Sequence, residues 1–326
     1  MKCRLIILLL CSFLWSRGQN AGGNAVYNFL RLPAGSLHTA LGGENISVIS
    51  RDITMVYQNP GLLRQEMHGQ LGLVFSPLPA GVKQIHLSGG LHSRQINTSF
   101  AASVQYLDYG NISRTDNSGN AAGHFKPRDY ITQLMAARRY GNRWFYGAAI
   151  KFIRSEYDIY RSSAIAMDIG VNYYDSSRNL QFGLVMKNMG MQLSAYTGEG
   201  NDNLPFDLQL GFTKRLEKAP LQFSVTAREL HRLVLYKADS SGGFDHIMQH
   251  FVFAAQLFIA DKIELSAGYN HLRRKELLIP NTANGLTGFS MGLGIILPRL
   301  QLRYARGFYS NSKGANQLGL NIDLAR

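Results

Sequence analysis

Hydrophobicity in this chain runs with a period of two. Leu221, Phe223, Val225 and Ala227 alternate with Gln222, Ser224, Thr226 and Arg228. Leu318, Leu320, Ile322 and Leu324 alternate in the same way with Gln317, Gly319, Asn321 and Asp323. Successive side chains of a strand point to opposite faces, so each segment carries one apolar face and one polar, glycine-bearing face. In a soluble sandwich such apolar faces would meet each other. In an outer-membrane barrel they face lipid, and the polar faces line the interior.

Alternation and turn signals together predict fourteen strands. They fall near 67–76, 82–92, 96–110, 129–140, 143–155, 163–174, 178–190 and 205–216. Six more fall near 219–229, 249–260, 262–272, 286–297, 299–309 and 316–325. Short turns are expected at Gly141-Asn142, Asp175 to Ser177, Glu217-Lys218, Asp261 and Pro298. Longer loops are expected near 111–128, 191–204, 230–248 and 273–285. Short and long connections alternate with few exceptions, which is the pattern of a barrel with periplasmic turns and extracellular loops. The expected fold is all-β: an antiparallel transmembrane barrel of fourteen strands over 67–326, preceded by a plug segment over 20–66.

Residues 1–19 read as an export signal. Lys2 and Arg4 begin it, Leu5 to Leu10 with Phe13, Leu14 and Trp15 form its apolar stretch, and cleavage is expected near Gly18 or Gln19. The apolar stretch is shorter than the roughly 20 residues a spanning helix needs. Both cysteines, Cys3 and Cys11, would leave with it. A mature chain without thiols excludes disulfides, zinc–thiolate sites and a cysteine nucleophile. No later apolar run is long enough for a membrane helix, and the mean hydropathy of −0.11 suits lipid and lumen faces that average out. Formal net charge is +13, and +10 once Lys2, Arg4 and Arg17 are removed. For an exported chain that excess points to lumen charges or anionic lipid head groups, not to nucleic acid.

The segment before the barrel carries the one recognisable motif set. Ala40, Leu41, Gly42 and Gly43, then Asp52, then Asn59-Pro60-Gly61-Leu62-Leu63 resemble the N-terminal region of FadL-type barrels. The opening Tyr27-Asn28-Phe29-Leu30-Arg31-Leu32-Pro33, with Ile46-Ser47 after the glycines, is most similar to the PorQ family within that group. The resemblance implies a fourteen-strand barrel with an N-terminal plug in which Gly42, Gly43, Asn59 and Pro60 matter. It further implies an outer-membrane component of the type IX secretion attachment complex of Bacteroidetes. Its relatives hold the surface protein PorZ and cooperate with PorU and PorV in processing cargo and coupling it to anionic lipopolysaccharide. Two other functions fit the same residues: a FadL-like channel for hydrophobic small molecules, and a cargo shuttle like PorV.

Catalytic motifs are sparse, and neither an enzyme, a cofactor nor a metal is expected. Gly288-Phe289-Ser290-Met291-Gly292 matches G-x-S-x-G, but that motif works at a sharp strand-to-helix turn. Here Phe289, Met291, Leu293 and Ile295 continue a strand, so Ser290 reads as a small lumen residue. His246 and His250 have the spacing of a helical zinc pair, without the zincin glutamate and beside a strand. Arg273-Arg274-Lys275 opens a long outer loop and is the candidate contact for lipopolysaccharide phosphates or an acidic partner. Lys151, Lys187, Arg215 and Arg228 fall on polar strand faces, where they would tune a pore or bond to the plug.

Overall fold

The computed structural model describes residues 25–325, except 117, 119, 199–201, 233–234, 236–242, 278–284 and 310–313. The expected signal, 1–19, lies outside the described residues. Strands β1 (Gln70–Pro77), β2 (Lys83–Ser93) and β3 (Thr98–Asp108) are followed by a small hairpin, β4 (Ile112–Thr115) and β5 (Ala121–Phe125). Next come β6 (Arg128–Tyr140), β7 (Trp144–Tyr157), β8 (Tyr160–Asp175), β9 (Leu180–Ser194), β10 (Asp207–Arg215) and β11 (Leu221–Ala227). The chain finishes with β12 (Phe251–Ile259), β13 (Ile263–Asn270), β14 (Phe289–Ile296), β15 (Leu300–Phe308) and β16 (Gly314–Asp323). Apart from the hairpin, these form a closed antiparallel barrel of fourteen strands. β16 closes it on β1 with Gln70 opposite Asp323 and Phe75 opposite Leu318.

Burial follows the two-residue period. In β1 Leu71, Leu73 and Phe75 are exposed, while Gln70, Val74 and Ser76 are buried. The same belt of outward Leu, Ile and Phe continues around the wall, so the apolar faces meet lipid and the sandwich alternative is excluded. Among the described residues no helix is long and apolar enough to cross a membrane. The strands do the crossing, and closure leaves no unpaired sheet edge in the hydrocarbon.

All fourteen expected strands are present, with ends moved by a few residues. The first begins at Gln70 because residues 65–67 still belong to a short turn of the plug. The loop expected over 111–128 contains the hairpin β4–β5. All four residues of β4 are exposed, so no apolar face existed to mark it as a strand. The loops over 230–248 and 273–285 carry helices α2 (Gly243–Met248) and α3 (His271–Glu276), while α1 (Ser36–Ala40) lies in the plug.

The hydrophobic core is the plug. Ile53, Val56, Leu62, Leu63 and Met67 pack on small wall residues such as Ala101, Ala137 and Ala149. Leu37, Leu41, Val48 and Met55 pack on Ala254. Fully burying one such side chain contributes about 1.5–3 kcal/mol, so these clusters favour a seated plug strongly. The long loops mark the extracellular end. At that end Ala25 pairs with Asn203, between β9 and β10, and Val26 donates to the Asn203 carbonyl at 3.1 Å. At the other end the Met67 carbonyl approaches Gly90 near the close of β2. The plug therefore runs from the outer face inward before the chain turns back into β1.

Candidate functional site

The wall is cut to receive the plug backbone. Gly147 and Gly170 stand opposite each other on β7 and β8. A methyl group on Gly147 would lie 2.5 Å from the Pro60 carbonyl oxygen, and one on Gly170 would collide with the Asn59 side chain. Asn59 accepts from Gly61 N at 2.8 Å and donates to the Ile46 carbonyl at 2.8 Å, which locks the Asn-Pro turn. Gly183 and Gly211 form a second opposed pair, which seats Ile46 and Ser47.

Gly42 and Gly43 have φ of 94° and 95°, a left-handed backbone that a side chain would strain. Gly42 N donates to Ser290 Oγ at 3.0 Å, and Ser290 donates to the Ala40 carbonyl at 3.1 Å. Asn270 donates to the Gly42 carbonyl at 3.2 Å. The serine of the G-x-S-x-G match thus faces the lumen and clasps the plug. Gly292 of the same match leaves room for Ala40.

Charge locks the seat. Arg303 on β15 reaches Asp52 of the plug at 2.9 Å and Glu264 on β13 at 3.2 Å. Arg228 meets Glu44 at 3.0 Å, and Lys187 donates to Gln58 at 2.5 Å. Both residues therefore bond to the plug. Lys151 instead binds the wall: Asp168 at 2.6 Å and Asn188 at 2.9 Å, with its ammonium 5.4 Å from the Tyr57 ring centroid. Asn188 lies beside a register shift between β8 and β9, at φ 56°, where Lys187 and Asn188 both turn inward. Arg215 lies on the polar face of β10, opposite Gln222, but bonds to no plug residue among those described. It is half-buried at the short-turn end, 2.9 Å from Asp261 and 4.5 Å from the Phe258 ring.

Arg273, Arg274 and Lys275 lie on α3 and not in an open loop, since Asn270 caps the turn by accepting from Arg273 N at 3.0 Å. Arg273 turns back toward the plug, beside Gly43, with its guanidinium 4.8 Å from the Tyr309 ring. Lys275 pairs with Asp245 of α2 at 3.1 Å, and His271 meets the same carboxylate at 2.8 Å. Burial opposes ionisation of Asp245, but the hydrogen bonds from His271 and Lys275 outweigh it and hold its pKa below the usual carboxylate value. Among the described residues Arg274 has no ion pair, so the triplet separates into two braces and one free cation. Of the two histidines, His246 lies on α2, whereas His250 is buried with Nδ1 2.8 Å from the Arg228 carbonyl. Among the described residues no group of three or more His, Cys, Asp or Glu is arranged to hold a metal.

Sequence reasoning missed an aromatic cleft at the outer end, about 540 Å³ in volume. Tyr27 of the plug enters it beside Tyr109, Tyr157, Tyr160 and Tyr196, which come from three different connections. These tyrosines sit at strand ends, where the two-residue pattern stops, and only closure of the barrel brings them together.

No family model matches the chain, and no curated protein matches it in sequence. Solved structures do match in shape. The CymD monoaromatic hydrocarbon channel aligns with a TM-score of 0.54 at 12% identity, covering 91% of this chain and 97% of CymD. A ΔS2 mutant of the TodX monoaromatic hydrocarbon channel gives 0.56 at 11%, covering 90% and 98%. A FadL homologue from Pseudomonas aeruginosa gives 0.49 at 10%, covering 89% and 98%. At these identities the likeness to CymD and TodX shows a shared fold. The protein is a transmembrane β-barrel in class: fourteen closed antiparallel strands around a plug.

Proposed function

We propose that this barrel is a scaffold: a PorQ-like anchor in the outer-membrane attachment complex of the type IX secretion system. It holds the surface protein PorZ and acts with PorU and PorV while cargo is processed and coupled to lipopolysaccharide. The observation that carries this reading is the plug itself, tied to the wall by the Arg303–Asp52 and Arg228–Glu44 ion pairs and seated on opposed glycines. A plug held by that many contacts favours a barrel that works through its outer face. The barrel has no chemistry of its own on this reading, and Ser290 is already committed to Gly42 and Ala40. The test is a tagged pull-down from gently solubilised outer membranes. PorZ recovered with PorU and PorV supports the scaffold, and PorZ remaining at the surface of deletion cells with cargo processing intact refutes it.

The second reading is a channel for hydrophobic small molecules. It is favoured by the aromatic cleft at the outer end and by the likeness to CymD and TodX, which are monoaromatic hydrocarbon channels. Uptake of an apolar solute by proteoliposomes that hold this barrel, absent from empty ones, would move this reading ahead.

A further inference from the structure

Behind the hydroxyls of two tyrosines of the aromatic cleft lies a carboxylate that the plug does not use. Asp129, at the outer start of β6, is fully buried. It accepts from Tyr109 at 2.5 Å, from Tyr157 at 3.4 Å and from Ser155. Among the described residues no lysine, arginine or histidine pairs with it. Isolated buried carboxylates are rare, since charge removed from water normally finds a cation as well as hydrogen bonds.

The rings above it form a partial box. Tyr109 and Tyr157 have centroids 5.8 Å apart, Tyr157 and Tyr196 stand nearly perpendicular at 5.9 Å, and Tyr27 lies 6.4 Å from Tyr196. Tyr160, nearly half exposed, forms the rim. Ring faces carry negative quadrupole charge, and a phenol that donates its proton toward a carboxylate has a still more electron-rich face. A purely apolar guest gains only from burial of its surface. A cation gains from the ring faces as well.

We propose that this cleft is a binding site for an alkylammonium group, held over the tyrosine faces, with Asp129 behind the hydroxyls of Tyr109 and Tyr157 as the buried counter-charge. The proposal is independent of the scaffold reading, because the cleft is built by Tyr27 and the outer strand ends whether or not a protein partner docks there.

The experiment uses the full-length protein purified in a neutral maltoside detergent. Binding of choline is compared with that of 3,3-dimethylbutan-1-ol, its uncharged isostere, by saturation-transfer NMR and calorimetry. Choline is expected to bind at least about tenfold more tightly, as cation–π contacts in a desolvated site imply. Asp129→Asn should abolish that preference, and Tyr196→Leu should weaken choline binding. Tyr160→Leu, at the exposed rim, should weaken it less and serves if the Asp129 variant does not assemble. N-acetyl-lysine methylamide identifies the source: binding comparable to that of choline points to a peptide side chain, and much weaker binding to a quaternary amine. Equal binding of choline and its neutral isostere, or choline binding untouched by both tyrosine changes, overturns the proposal.

Discussion

The guanidinium of Arg303 lies 2.9 Å from the carboxylate of Asp52, so wall and plug share a buried ion pair, and Glu264 completes it from the wall side at 3.2 Å. Removing the cation leaves two carboxylates buried without compensation. Arg303→Leu is therefore expected to cost about 3–5 kcal/mol. Asp52→Asn keeps the volume and leaves Arg303 its second partner, so its cost should be nearer 1–3 kcal/mol. Urea unfolding in micelles measures both. Equal losses would mean that Glu264 contributes nothing to the lock.

The glycine seat makes a second, different prediction. In Gly147→Ala the new methyl group meets backbone, the Pro60 carbonyl oxygen at 2.5 Å, and backbone cannot swing aside as a side chain can. Overpacking of this kind typically costs about 1–3 kcal/mol. Part of that strain is expected to appear as lifting of the Asn59-Pro60 turn, detected as ion conductance in planar bilayers. Gly243→Ala is the control, because among the described residues nothing lies within 4 Å of the added carbon. A Gly147 variant as stable and as silent as the parent would refute the seat.

The wall was legible in the sequence because each strand has one lipid face and one lumen face, and Leu71, Leu73 and Phe75 reveal that period directly. The hairpin β4–β5 was not, since Ile112 to Thr115 have no buried face and therefore no period to read. The plug motif drew attention to Gly42, Gly43, Asn59 and Pro60, and their positions explain why glycine and an Asn-Pro turn stand there. Their partners were hidden. Gly170 is separated from Asn59 by more than a hundred positions, and nothing local in either segment names the other. Asp129 was passed over for the same reason: Tyr109, Tyr157 and Tyr196 lie at the ends of separate strands and converge only in the closed barrel.

Arg274 and Lys275 are neighbours in sequence but are expected to behave differently. Lys275 braces α3 against α2 through Asp245 at 3.1 Å, while Arg274 has no ion pair among the described residues. Arg274→Glu is expected to reduce binding of lipopolysaccharide or of an acidic partner by about fivefold to tenfold, with unfolding unchanged. Lys275→Ala should instead loosen the helix pair, seen as faster proteolysis of the outer loops, because a solvent-accessible ion pair contributes only about 0–1 kcal/mol to global stability. Surface plasmon resonance on lipopolysaccharide, run beside limited proteolysis, separates the two effects. If both substitutions weaken binding equally, the triplet acts as one patch.

Ser47 of the plug and Thr213 of β10 offer the means to decide between anchor and channel. Their hydroxyls lie 2.7 Å apart, both residues are buried, and the chain's own cysteines are confined to positions 3 and 11. Hydroxyls in contact place the two Cβ atoms near the separation a disulfide needs, roughly 3.5–4.5 Å. Ser47→Cys with Thr213→Cys should therefore oxidise readily and fasten the plug to the wall without displacing it. A channel whose solute crosses the lumen must move or unfold its plug, so oxidation would abolish uptake and reduction would restore it. An anchor uses only its outer face, and PorZ capture should be the same in the oxidised and reduced protein. Loss of capture on oxidation would show that the plug moves when the partner docks, and the static scaffold would have to be abandoned.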